Sequence, residues 1–344
     1  MFYLLSLITG ILECGWIAYG VANSLPLWQI LCYPLAYHIG NLFPKPFSLS
    51  RRYLCVMSVL ALITGGLTFA KRLSESVVFL LTCASLFLLS AVIQSIRSEL
   101  KSDGNRLIKR IFRVGGFALA PLAVLVPSAI LVLTSLIALC GLKYYNGEFA
   151  ISRMVGQDGF SAAMIFHQLH YFFYAHITLA AMSLLFTGLF SSYGTVLAAL
   201  LFCGTWTTYM SVEPIISGLT AKTLSVFLAG HIGISLLLFT MSFVDNKLLF
   251  TVLWLVTGFG GGVVYTISAR AKELGCYDKT SMTISENIGH TLGLATAVAT
   301  AAVFDMKSPT IMLLFGSESA LLAVVSMLLS LRKGKNNEGL NNKR

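Results

Sequence analysis

The stretch Phe117–Leu142 reads FALAPLAVLVPSAILVLTSLIALCGL. It holds no charged side chain, and Pro121 and the pair Pro127-Ser128 interrupt it. Gly115 and Gly116 stand just before it. A helix needs about 20 mostly apolar residues to cross a hydrocarbon core about 30 Å thick. The stretch is therefore long enough for one crossing, and short of the roughly 40 residues that two full crossings need. Ten further apolar blocks flank it: Phe2–Ala22, Leu25–Phe43, Tyr53–Ala70, Val77–Ser95, Ser161–Phe186, Thr195–Ser211, Leu224–Phe243, Leu248–Ile267, Glu286–Phe304 and Ile311–Leu331. The pattern predicts an all-α, polytopic membrane helix bundle with about 11–12 transmembrane helices.

Composition supports this and removes most soluble-enzyme readings. The chain has 344 residues, 56% of them hydrophobic and 11% charged, and its mean hydropathy is +0.81. A soluble domain carries about 25% charged residues. The longest polar stretch is Arg97–Arg113, and the tail Arg332–Arg344 is too short and polar to fold alone. Met1 runs straight into the first block, which is expected to stay as a first helix rather than leave as a signal peptide. The formal net charge is +10. These basic residues lie in loops, where they set topology and meet anionic headgroups, and no nucleic-acid partner is expected. Cys14, Cys32, Cys55, Cys83, Cys140 and Cys203 lie inside apolar blocks, Cys276 lies in a loop, and no CxxC occurs. Neither a disulfide framework nor a zinc site is indicated, and no cofactor is expected.

Lysine and arginine enrich cytoplasmic loops, and alternate loops share a side. Lys45, Arg51 and Arg52 follow the second block, and Arg97, Lys101, Arg106, Lys109, Arg110 and Arg113 follow the fourth. Arg270, Lys272, Lys279 and the tail are basic as well. Both termini are thus expected in the cytoplasm, which requires an even number of crossings. With eleven plain crossings and the N-terminus inside, the cytoplasmic side holds only 11 of the 24 basic residues. If the stretch between Arg113 and Lys143 contributes an even number of crossings, the division becomes 20 against 4. The block Phe117–Leu142 is therefore expected to be bent, paired or re-entrant. A straight helix with a tolerated proline, or a parity change between Lys143 and Lys222, are the alternatives.

Twelve spans with both ends inside, divided by a loop into two halves of about six, resemble the major facilitator superfamily. That family's loop after the second helix reads roughly Gly-x-Leu-x-Asp-…-Gly-Arg-Arg/Lys. Here Gly40-Asn41-Leu42 is followed by Arg51-Arg52, with no Asp and a longer spacing. The resemblance implies two pseudo-repeated halves, a bundle over 1–142 and a bundle over 161–331. Residues 143–160 would form the central loop and 332–344 a basic cytoplasmic tail. It also implies that the bundles rock about a cavity, with sites near the midplane.

Ionisable residues within apolar blocks are costly and usually face a cavity. Glu13 sits mid-block, with Trp16 and Gly20 following on the same helix face. Glu318 lies in the last block beside Gly316, Ser317 and Ser319. Burial favours the neutral form of a carboxyl, so either residue can serve proton coupling; a hydrogen-bonded structural Glu is the alternative. The densest cluster runs Phe166-His167-Gln168-Leu169-His170-Tyr171-Phe172-Phe173-Tyr174. His167, His170, Tyr171 and Tyr174 fall within about a 100° arc of one helix. Such a stripe suits a cavity wall for a polar or aromatic solute, a haem or metal site, or an interfacial belt. His231, beside Gly230 and Gly233, suits the same cavity or plain packing. The run Gly258, Gly260, Gly261, Gly262 reads as close helix packing or a flexible point. Glu213-Pro214 reads as a loop and cap, and Ser285-Glu286-Asn287 as a helix start.

The expected function is secondary transport of a small organic solute, proton-coupled, with export favoured by an aromatic cavity of few fixed charges. Substrate residues would be His167, His170, Tyr171, Tyr174, Trp16 and His231; Glu13 and Glu318 would couple protons. A monomer in a cell membrane, of the bacterial inner-membrane kind, is expected. The competing reading is a membrane enzyme that binds haem or a metal through His167 and His170, with ligands on facing helices. A third reading, a scaffold, leaves Glu13, Glu318 and His170 without a reason to lie in the membrane.

Overall fold

Backbone amides cannot stay unpaired in hydrocarbon, so a crossing closes its hydrogen bonds within one helix. The computed structural model describes residues 1–42, 49–70, 72–100, 106–146, 194–217, 223–261 and 279–303. Every element among them is helical. The first are α1 (Phe2–Ala22), α2 (Leu27–Leu42), α3 (Arg51–Leu67) and α4 (Glu75–Glu99). There follow α5 (Arg106–Leu119), α6 (Leu122–Leu125) and α7 (Pro127–Gly141), which a 3-10 turn extends over Leu142–Tyr144. Later come α8 (Gly194–Ser217), α9 (Thr223–Met241), α10 (Lys247–Gly261) and α11 (Lys279–Val303).

The block Phe117–Leu142 is broken. Val126 leaves the helical region at φ −138°, ψ 57°, as the residue before a proline tends to do. Pro127 then opens α7 as its first residue, where its missing N–H has no partner to lose. Residues 106–125 span about 30 Å at 1.5 Å per residue, enough for a crossing of their own. The first of the two crossings therefore begins at Arg106. Arg106–Arg113, expected in a cytoplasmic loop, is helix, and Arg97 lies within α4. Hydropathy marks where the membrane is; it does not mark where a helix ends, and a helix continues through the headgroup zone with polar side chains. The same reason corrects two later expectations. Glu213 and Pro214 lie inside α8, and Ser285-Glu286-Asn287 lie inside α11, which starts at Lys279.

Contacts fix the helix directions. Gly10 faces Arg113 and Gly116, and Gly15 faces Ala120 and Ala123, so α5–α6 runs parallel to α1. Gly20 meets Ile30, where α2 turns back. Tyr33 packs on Phe79 and Gly40 on Phe87, so α2 and α4 run parallel. The short turn after α3 lets Thr64 and Ser85 share a hydrogen bond of 2.6 Å. The Thr68 hydroxyl donates to Ser128 at 2.7 Å, and the Tyr145 hydroxyl donates to the Leu49 carbonyl at 2.7 Å, so α7 runs against α3. Up to Tyr145, the described residues make six crossings of alternating direction. Two of them arise from the region the charge pattern singled out.

The chain forms two compact units. The first comprises Met1–Ser152, Leu185–Gly204 and Val298–Val303; the second comprises Arg153–Leu184, Thr205–Ala297 and Phe304–Arg344. In the first unit α1 is the central helix, and Leu5, Ile8, Leu12 and Trp16 are buried against α2, α4 and α5–α6. Lipid is as apolar as leucine, so close backbone approach and polar contacts, rather than the hydrophobic effect, hold such helices together. In the second unit α9 packs on α10. Thr205 and Thr257 hydroxyls lie 3.2 Å apart, and the Thr208 hydroxyl donates to the Leu255 carbonyl at 2.7 Å. A side chain at Gly258 would overlap Thr205 and Thr208, so at this glycine the run serves close packing, one of its two expected uses.

The outer faces are apolar. Tyr53, Val56, Val59, Leu60, Ile63 and Leu67 form an exposed stripe along α3. Leu248, Val252, Val256 and Phe259 do the same on α10. In water these stripes would drive aggregation; in a bilayer they are the lipid-facing surface. Phe2–Ala22, Glu75–Glu99 and Pro127–Tyr144 are each long and apolar enough to cross a membrane. The protein is a multi-pass, all-α membrane protein.

Candidate functional site

Glu13 lies in the middle of α1, where a lone carboxylate costs about 2.5–3.5 kcal/mol on insertion scales. The first unit gives it a partner. Arg113 of α5 donates from Nη2 to Glu13 Oε2 at 2.5 Å. Side-chain exposure is 27% for Arg113 and 13% for Glu13, so the pair is enclosed without being sealed. The approach of the two helices makes this contact. A Cβ at Gly10 would stand 2.6 Å from the Arg113 carbonyl, and one at Gly116 would overlap the Leu7 carbonyl. Arg113 also lies over the Phe117 ring, 5.8 Å from its centroid.

A second arginine approaches from α4. Arg97 Nη1 donates to the Thr9 hydroxyl at 3.1 Å, one turn before Glu13 on α1. That hydroxyl in turn donates to the Leu5 carbonyl at 2.7 Å. The Arg97 guanidinium carbon is 6.0 Å from the Phe2 ring centroid. Its Nε is enclosed and has no hydrogen-bond partner among the described residues. From α2, the buried Tyr37 lies within electrostatic reach of Glu13, Arg97 and Arg113. His38 packs edge-on to Tyr37, with ring centroids 5.5 Å apart. Beside Glu13, the buried Cys14 thiol lies 3.5 Å from that of Cys203, contributed by the part of α8 that belongs to the first unit. Four helices of the N-terminal region thus converge on one polar cluster inside an apolar body.

The other expected site residues divide into three groups. Trp16 is 1% exposed in the apolar core, and its indole Nε1 is enclosed without a hydrogen-bond partner among the described residues. His231 falls within α9, and its surroundings lie outside the described residues. His167, His170, Tyr171, Tyr174 and Glu318 lie outside the described residues altogether, as do the central loop beyond Asn146 and the tail. Among the described residues no group of three His, Cys, Asp or Glu is placed to hold a metal ion.

Arg97 and Arg113 were not foreseen as site residues. They belong to the polar stretch that the charge pattern assigned to the cytoplasm. A signal was present: Arg106, Lys109, Arg110 and Arg113 stand at i, i+3, i+4 and i+7, the spacing of one helix face rather than a loop.

Comparison with known proteins gives a fold and no close relative. No family model matches the chain, and no curated protein matches it by sequence. Among solved structures, it is similar to the crystal structure of the nucleoside transporter NupG (D323A mutant), with a TM-score of 0.60 and 11% sequence identity. The likeness covers 95% of this chain and 99% of that one. At this identity the likeness establishes the shared fold alone.

Proposed function

We propose that this protein is a secondary active transporter of a small organic solute, coupled to protons and working in the direction of export. Two bundles, over 1–142 and 161–331, would alternate access, as a monomer in a cell membrane of the bacterial inner-membrane kind with both termini cytoplasmic. Glu13 and Glu318 would exchange protons. Trp16, His167, His170, Tyr171, Tyr174 and His231 would line the path of the solute.

The observation that carries this reading is the Glu13–Arg113 pair, held within the membrane part of a transporter-like fold. A carboxylate and a guanidinium in a low dielectric have two states. A proton on Glu13 removes the charge that holds Arg113, and its loss restores the pair. A proton gradient can bias such an element if the two states differ in solute affinity. The solved neighbour is named as a nucleoside transporter, so nucleosides belong on the panel of solutes.

The test is flux in proteoliposomes under an imposed proton gradient, run in both orientations across nucleosides, metabolites and drugs. Wild-type protein should accumulate at least one solute against its gradient. Glu13→Gln should keep solute exchange and lose the proton-driven accumulation. Full accumulation by Glu13→Gln would remove Glu13 as a coupling residue. Absence of flux for every solute, with a visible absorption band or stoichiometric metal in the purified protein, would replace transport by the enzyme reading.

A further inference from the structure

Among the described residues, two guanidinium groups, Arg97 and Arg113, share one carboxylate, Glu13. Glu13 pairs with Arg113. Arg97 is left with the neutral Thr9 hydroxyl as its acceptor, and its Nε stays enclosed without one. Thr9 and Glu13 stand one turn apart on α1, so Arg97 and Arg113 reach the same face of that helix. An uncompensated charge in a low-dielectric interior is costly, and a second anion would relieve it. A guanidinium offers a planar fork of N–H donors that matches the paired oxygens of a carboxylate or phosphate. Thr9 adds a neutral hydroxyl beside Arg97.

We propose that Arg97 and Arg113 bind an anionic group of the transported solute, a carboxylate or a phosphate, with Glu13 as the internal competitor for Arg113. This rests on the transporter reading for the word "transported". The anion takes the unsatisfied Nε–H of Arg97 and displaces Glu13 from Arg113, so solute binding and the breaking of the Glu13–Arg113 pair are one event. The substrate class is therefore organic anions, in place of neutral solutes.

The full-length protein, in nanodiscs of phosphatidylcholine alone, is titrated with benzoate, inorganic phosphate and the neutral nucleoside uridine at fixed ionic strength. The unfolding temperature is followed. Benzoate or phosphate should stabilise the wild type saturably. Arg97→Gln should weaken that anion about tenfold or more, Glu13→Gln should tighten it about tenfold, and Lys247→Gln, on the exposed start of α10, should leave it unchanged. If Arg97→Gln does not fold, Glu13→Gln decides alone: unchanged or weaker anion affinity overturns the proposal. So does the absence of any saturable anion effect in the wild type. Stabilisation by phosphatidylglycerol in the nanodisc, with neither soluble anion acting, assigns the arginines to lipid headgroups and also overturns it. Proton-driven flux separates the two readings. Arg97-dependent anion binding with no flux removes the transporter and keeps the anion site; flux of neutral solutes without such binding does the reverse.

Discussion

Glu13 and Arg113 are a hundred positions apart, and each alone would be an unpaired charge in a hydrophobic wall. Together they offset one another's desolvation, but only while both are present. Arg113→Met should therefore cost roughly 1–3 kcal/mol of stability, between the ranges for exposed and buried pairs because the pair keeps some exposure. Glu13→Gln should destabilise too, by stranding Arg113. The double variant should lose less than the sum, with a coupling above roughly 1 kcal/mol. Thermal unfolding of the four proteins in one nanodisc composition measures this. Strictly additive losses would mean that the two side chains do not act as a pair. Glu13 was legible in the sequence because a carboxylate inside an apolar block is conspicuous. Arg113 was not, because it sits at the edge of such a block, where arginine usually belongs to a loop.

At the scale of an element, the contact between α1 and α5 is set by neighbouring glycines with opposite surroundings. A Cβ at Gly116 would overlap the Leu7 carbonyl and crowd Gly10, whereas a Cβ at Gly115 meets nothing within 4 Å. Gly116→Val should separate the two helices, lower the unfolding temperature and weaken the Glu13–Arg113 pair. Gly115→Ala should be neutral or stabilising by up to about 1 kcal/mol, since alanine favours a helix over glycine. Differential scanning fluorimetry on both variants discriminates them. Equal losses would show that the glycines act through the backbone alone and that the close approach is immaterial. The break at Val126–Pro127 was legible from prolines and charge parity. The start of α5 at Arg106 was not, because a hydropathy window scores its four basic residues as loop while their helical spacing goes uncounted.

For the whole chain, alternating crossings commit the connections to sides. Ser50, before α3, and Asn146, after the 3-10 turn, lie at one end of the first unit, whereas Ser24 and Ser74 lie at the other. Single cysteines at these positions, in a cysteine-free background, should react with a membrane-impermeant maleimide in two groups. Ser50→Cys and Asn146→Cys should label from one face, and Ser24→Cys and Ser74→Cys from the opposite one. Labelling of Asn146→Cys together with Ser24→Cys would defeat the paired crossings of α5–α6 and α7.

By itself the sequence determined that this is a multi-pass helical membrane protein, and that its regular pattern breaks within Phe117–Leu142. Both are local properties: the length of an apolar run matches the bilayer, and a proline ends or restarts a helix wherever it stands. Only the tertiary structure decided that Arg97 and Arg113 leave the loop inventory and meet Thr9 and Glu13 inside the first unit. That outcome depends on how closely α1 and α5 approach at Gly10 and Gly116. An approach between helices a hundred residues apart leaves no periodic trace in either of them.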